Sequence, residues 1–137
     1  MQTAPRMPHA VSQNIVQRNM KRWMDALLIG KPEAVAAIYT EDATFLPTLF
    51  PDFKQGIPGA REYFVHFLEE HPIGTIIESA VQSLGEDAYL HSGLYDFEID
   101  DGEGGRTTAH ARFTYLWVQE DGGWKIAHHH SSLVPNL

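Results

Sequence analysis

The sequence contains no cysteine. Disulfides, thiolate metal sites and a cysteine nucleophile are thereby excluded, and the composition suits a reducing compartment. It has no apolar run near the roughly 20 residues that a membrane-spanning helix needs, and its start, Met1-Gln2-Thr3-Ala4-Pro5-Arg6, has none of the apolar core of a signal peptide. A soluble, cytoplasmic protein without a membrane partner is the expectation. Basic side chains are scarce, ten Lys and Arg against eighteen Asp and Glu for a net charge of -8, so nucleic acid and anionic lipid are repelled on balance and no nucleic acid partner is expected. There is no glycine-rich nucleotide fingerprint, which argues against a bound NAD or FAD, and no cofactor is expected. Internal repeats and low-complexity stretches are also missing.

What is present is a chain of 137 residues with 43% hydrophobic content, enough for one core without staples. Residues 1–10 carry Pro5 and Pro8 without hydrophobic rhythm and read as a flexible arm, leaving 11–137 as a single domain. From Ser12, a plausible N-cap, Val16, Met20, Trp23, Met24 and Leu27 recur at helical spacing, and Gly30 stands where a C-terminal cap belongs. Pro32 opens a second, shorter helix that ends near Thr40. Ala43 to Leu46 is a short β-like run, Pro51 to Gly59 is loop-rich with room for one edge strand, and a third helix carries Ala60, Tyr63, Phe64, Phe67 and Leu68 before His71-Pro72 ends it.

After Gly74 the period changes from 3.6 to 2, predicting strands at about 75–84, 87–99, 106–118 and 123–133, joined by connections suited to antiparallel neighbours. Helices first and a meander afterwards imply an α+β domain, with three N-terminal helices packed on one side of a curved antiparallel sheet. Both strand faces are apolar: Phe113, Tyr115 and Trp117 oppose Leu116 and Val118, while Tyr95, Phe97 and Ile99 oppose Leu90 and Leu94. With no further helix to cover the second face, another copy of the chain is the simplest cover, and a homodimer or higher oligomer is expected.

The last hairpin carries the densest polar group, His128-His129-His130-Ser131-Ser132. Under regular alternation His128 and His130 share a face and His129 points the other way, so the first pair is the one to grip a ligand or move a proton. A metal would need a third ligand such as His91 or His110, and no recognised spacing supplies it, so no metal is expected. No nucleophile elbow surrounds Ser131 or Ser132. Arg112 lies in an aromatic and β-branched run and, if buried, needs a partner, for which Glu78 is the best candidate. Two readings follow, a structural ion pair or a clamp for an anion or carbonyl.

The order of elements and the hairpin resemble the nuclear-transport-factor-2-like superfamily, a cone of three helices wrapped by a bent sheet. Within it, Arg106-Thr107, Trp117, Gly122, Trp124, Ile126, His128 and His130 resemble the association (hub) domain of calcium/calmodulin-dependent protein kinase II. Leu46-Pro47-Thr48-Leu49, Tyr63-Phe64, Phe67-Leu68, Ile77-Glu78, His91-Ser92-Gly93 with Tyr95, Ala111 to Thr114 and His129 to Ser132 resemble small bacterial proteins of polyketide and enediyne clusters, often labelled oxidoreductases. The resemblance implies a conical pocket. His91, Tyr95 and Trp23 would line its mouth, and Tyr115 and Ser131 would stand where the hub has pocket arginines, so an anionic ligand does not carry over. Superfamily enzymes use a pocket carboxylate as general base, for which Asp25, Asp42, Asp96 and Glu78 are available.

The leading expectation is a homo-oligomeric domain that binds a small organic molecule. His130, His128 and Glu78 would supply any acid–base chemistry, and Arg112, His91, Tyr95, Trp23 and Tyr115 would bind the ligand. A cofactor-free isomerase, cyclase or dehydratase and a pure oligomerisation hub are the alternatives.

Overall fold

The computed structural model describes residues 10–137. The arm expected over residues 1–10 therefore lies, apart from Ala10, outside the described residues. Helix α1 spans Gln13–Ile29; the Ser12 hydroxyl accepts from the Ile15 amide at its start, and Gly30 closes it with φ 78° and a bond from its own amide to the Leu27 carbonyl. Helix α2 (Pro32–Ala36) is short, and α3 (Gly56–Phe67) starts four residues earlier than the apolar spacing predicts. The early start depends on Gly56, whose φ of 69° suits glycine and whose Cα approaches the Glu41 carbonyl so closely that a Cβ would sit 2.8 Å from it.

Strands β1 (Tyr39–Leu46), β2 (Lys54–Gln55), β3 (Ile73–Ser83), β4 (Ala88–Asp100), β5 (Arg106–Glu120) and β6 (Gly123–Leu133) form one sheet in the order β2-β1-β6-β5-β4-β3. The meander β3 to β6 is antiparallel throughout, as its short connections require, and the β5–β6 turn places both Asp121 and Gly122 at positive φ. β1 is longer than the predicted run and pairs parallel to β6, the one parallel pairing among the described residues. The α+β architecture matches the sequence reading. No helix among the described residues is long and apolar enough to cross a membrane.

The helices cover one face of the sheet, called inner below. Trp23 of α1 is 1% exposed and sits among Phe64, Tyr95, Phe97, Tyr115 and His129. The inner rows of β4 and β5, Tyr89, His91, Tyr95 and Phe97 with Ala111, Phe113, Tyr115 and Trp117, are buried almost completely. Their neighbours on the outer face, Leu90, Leu94, Leu116 and Val118, are partly or largely exposed.

Two irregularities decide which side chains face inward. On β6, Ile126 pairs with Trp117 while His128 pairs with Leu116, so Ala127 is an extra residue. On β3, Ile76 pairs with Tyr95 while Glu78 pairs with Leu94, so Ile77 is extra. Each bulge reverses the alternation beyond it.

Candidate functional site

The bulge at Ala127 turns His129 and Ser131 inward and leaves His128 and His130 on the outer face. His129 is 2% exposed, and its ring stacks on Tyr115 at 4.0 Å and on Phe45 at 4.5 Å between centroids. Polar contacts close around it: Nδ1 lies 2.8 Å from the Tyr39 hydroxyl, and Nε2 lies 2.6 Å from Ser131 Oγ and 3.3 Å from the Tyr95 hydroxyl. Tyr95 also touches Ser131 Oγ and accepts from the Tyr115 hydroxyl at 3.4 Å.

The proton order follows from one obligatory donor. The Trp23 indole N–H can only donate, and it does so to the Tyr39 oxygen at 3.2 Å; Tyr39 then has its own proton free for His129 Nδ1, and His129 donates from Nε2 to Ser131. Burial favours the uncharged form of every member. It drives His129 well below the usual imidazole range, a fall that His128 and His130 reinforce, and raises Tyr39 and Tyr115 well above the usual phenol range. Burial also raises Tyr95, to about 12, against the hydrogen bonds from Ser131, Tyr115 and Thr48 that favour its phenolate. The network is a satisfied, neutral polar core.

Other expected site residues are placed differently. Arg112 is exposed on the outer face rather than buried, donating from Nε to Ser132 Oγ at 3.2 Å. The bulge at Ile77 puts Glu78 on that same face, where it and Arg112 border a shallow depression of about 420 Å³; no ion pair joins them among the described residues. This corrects the buried Arg112–Glu78 pair, which rested on the aromatic and β-branched run around Arg112: that run is buried on one side only, and Arg112 stands on the other, in the outer row with Leu116. His130 is exposed, and His128 is half-buried with Nδ1 2.6 Å from Thr44 Oγ1. The pair expected to grip a ligand therefore faces outward, and His129 occupies the interior. Trp23, Tyr95 and Tyr115 are inside but belong to the core, not to a mouth.

The carboxylates are at the surface or engaged. Asp25 accepts from Lys21 Nζ at 2.7 Å, Asp42 from the Thr40 hydroxyl at 2.9 Å, and Asp96 meets His110 Nδ1 at 2.7 Å. Among the described residues no three His, Asp or Glu side chains come together as a metal site.

His91 is the expected ligand-binding residue that reaches a recess. It is 4% exposed, its ring meets Phe113 edge-on at 5.2 Å, and its imidazole makes no hydrogen bond among the described residues, with Nδ1 fully enclosed. Burial lowers its proton affinity. It lies at the back of a cleft of about 470 Å³ between α1 and β3, walled by Val16, Met20, Met24, Ile76 and Val81. The cleft exists because β3 is an edge strand and α1 crosses it; Gly74 admits Met24, whose Sδ would lie 2.4 Å from a Cβ there.

With this geometry in view, comparison with known proteins is decisive for kinship. The model of the calcium/calmodulin dependent protein kinase II association domain matches residues 12–135. The chain belongs to that family. A Xanthomonas campestris structure assigned to the same association domain is similar at 29% identity and a TM-score of 0.89, with 98% of this chain and 99% of that one covered. The hub homology domain of a Chlamydomonas reinhardtii CaM kinase II is similar at 22% identity and TM-score 0.72, covering 89% and 96%. A Streptomyces avermitilis structure assigned as a dehydratase of the NTF2-like family is similar at 15% identity and TM-score 0.76, covering 88% and 94%. The last two share the fold alone with this association-domain chain. The resemblance of the hairpin residues to the hub family agrees with the family match, and the solved structures share the fold that the superfamily resemblance implies.

Proposed function

We propose that this association domain is a self-associating module whose copies meet through the outer face of the sheet. The observation that carries the reading is the apolar row Leu90, Leu94, Leu116 and Val118, which no element among the described residues covers. An uncovered sheet face of this kind marks an interaction surface. Leucine and valine rows are self-complementary about a twofold axis, and the flanking groups carry both signs: Arg112 on one strand, Asp96 and Glu98 on the next. Family membership supports the same reading, since the matching model describes an association domain.

Sedimentation or light scattering of the purified chain tests it. The expected mass is at least two chains, a ring-forming hub giving many more, and Leu116→Arg should return a folded single chain because it buries an unpaired charge between copies at a cost of several kcal/mol. A wild type that stays a single chain at about 100 µM overturns the reading.

A second reading, binding of a small organic molecule, is favoured by the cleft between α1 and β3 with His91 at its back, a size and lining typical of ligand sites. Acid–base turnover is less well supported. His130, His128 and Glu78 lie on the outer face, away from that cleft.

A further inference from the structure

We infer that the cleft between α1 and β3 takes a neutral aromatic molecule bearing a hydroxyl group, with His91 as the hydrogen-bond partner of that hydroxyl. The inference rests on the small-molecule reading of this cleft and adds the chemical class of the occupant.

Three observations converge. First, the His91 imidazole is almost wholly buried yet makes no hydrogen bond among the described residues. Nδ1 is enclosed beyond a guest's reach, so Nε2 is the nitrogen open to one, and a ligand that seats a polar group there gains a hydrogen bond that a purely apolar ligand forfeits. Burial keeps the ring neutral, so it offers one acceptor and one donor nitrogen. A hydroxyl answers either, since it both donates and accepts.

Second, among the described residues the cleft offers a charged guest little. The cationic side chain at the mouth, Lys21, is held by Asp25 at 2.7 Å. A carboxylate or phosphate placed beside His91 would lose its hydration without a counter-charge. Third, apart from Gln13, Gln17 and Ser79, which are neutral, and Lys21, the walls beside His91 are apolar and include two thioethers, Met20 and Met24. Methionine side chains adapt to irregular guests and make favourable sulfur contacts with aromatic rings. The cleft volume of about 470 Å³ accommodates a fused two-ring compound.

Calorimetric titration of the full chain with three matched probes tests this: 2-naphthol, 2-methoxynaphthalene and 2-naphthoate. The inference expects 2-naphthol to bind about tenfold tighter than the methyl ether, as loss of one buried hydrogen bond implies, with the carboxylate weakest. His91→Phe should bring naphthol and ether to equal affinity while the ether still binds, and His91→Gln, which keeps a donor and an acceptor, should restore the preference.

Unfolding midpoints and solution mass establish that each variant is intact. If His91→Phe does not fold, the imidazole ¹⁵N shift of His91 in the wild type takes its place, and it must move with naphthol and not with the ether. Equal affinity of wild type for naphthol and ether, or tightest binding of the carboxylate, overturns the assigned class and leaves the cleft as a binding site. Binding of none of the three overturns the small-molecule reading together with the inference.

Discussion

The two faces of the β4–β5–β6 sheet are built from the same strands, often from adjacent residues, and have little else in common. On the inner face Tyr115 and Trp117 are fully buried, and each polar atom of the His129 network is satisfied within the chain. On the outer face Leu116 and Thr114 stand partly exposed beside Arg112 and His130. The difference teaches that facing, and not residue type, assigns a role here: alternation divides three consecutive histidines between a core and a surface, and one inserted residue, Ala127, decides that His129 is the one inside.

The comparison is tested most severely at its centre. Trp23→Ala removes the side chain against which Phe64, Tyr95, Phe97, Tyr115 and His129 pack, and should cost about 3–5 kcal/mol in denaturant unfolding. A loss below about 1 kcal/mol would mean that the helices do not share one core with the inner face.

Deleting Ala127 sharpens the same point. If it is a bulge, its removal leaves Ile126 inward, His128 outward and His129 inward, so the inner network survives. The β1–β6 pairing shifts over the same stretch, however, and must readjust. The expected cost is about 1–3 kcal/mol with the fold retained. In a regular strand the same deletion would turn every later side chain to the opposite face, and the protein would not fold. Circular dichroism and urea unfolding of the deletion variant separate the two.

This is also where sequence reading succeeded and where it stopped. Element types and order were legible because Val16 to Leu27 repeat at 3.6 and the strands after Gly74 at 2, and Asp121-Gly122 announced its turn. The apolar nature of both sheet faces was legible too. The site was not, since alternation from Ile126 predicts an inward His128 and His130, and alternation from Ile76 predicts an inward Glu78. A bulge at Ala127 or Ile77 has no marker such as glycine, and only the pairing partners Trp117 and Tyr95 reveal it. His91 shares the inner face of Tyr95, as alternation predicts, because no bulge intervenes between them on β4.

A smaller, pH-dependent effect follows from the inner network. The folded chain holds His129 well below its usual proton affinity, and His91 and His128 are lowered as well, in each case chiefly by burial. The unfolded chain protonates near pH 6.5. Below that pH the unfolded state therefore binds more protons than the folded one, so stability is complete above about 6.5 and declines as the pH falls. The slope is at most about 1.4 kcal/mol per pH unit for each histidine. Glu70, raised by burial and by Asp100, acts in the opposite sense but nearer the carboxylate range, so urea unfolding between pH 7.5 and 5.5 isolates the imidazoles. Stability that is flat or rises toward acid would mean a charged His129 and a reversed hydrogen-bond order.

The smallest effect belongs to the outer face. Arg112 is exposed and holds the Ser132 hydroxyl through one hydrogen bond, so Arg112→Ala made in the single-chain Leu116→Arg background should change unfolding by no more than about 0.5 kcal/mol. Made in the wild type, the same substitution should weaken association without altering the inner core, because a rim charge acts mainly on the encounter between copies and on its salt dependence. A loss above about 2 kcal/mol in the single-chain background would reinstate a buried, partnered guanidinium. It would also erase the contrast between faces, since the stability attributed to the aromatic side would then be shared by the charged one.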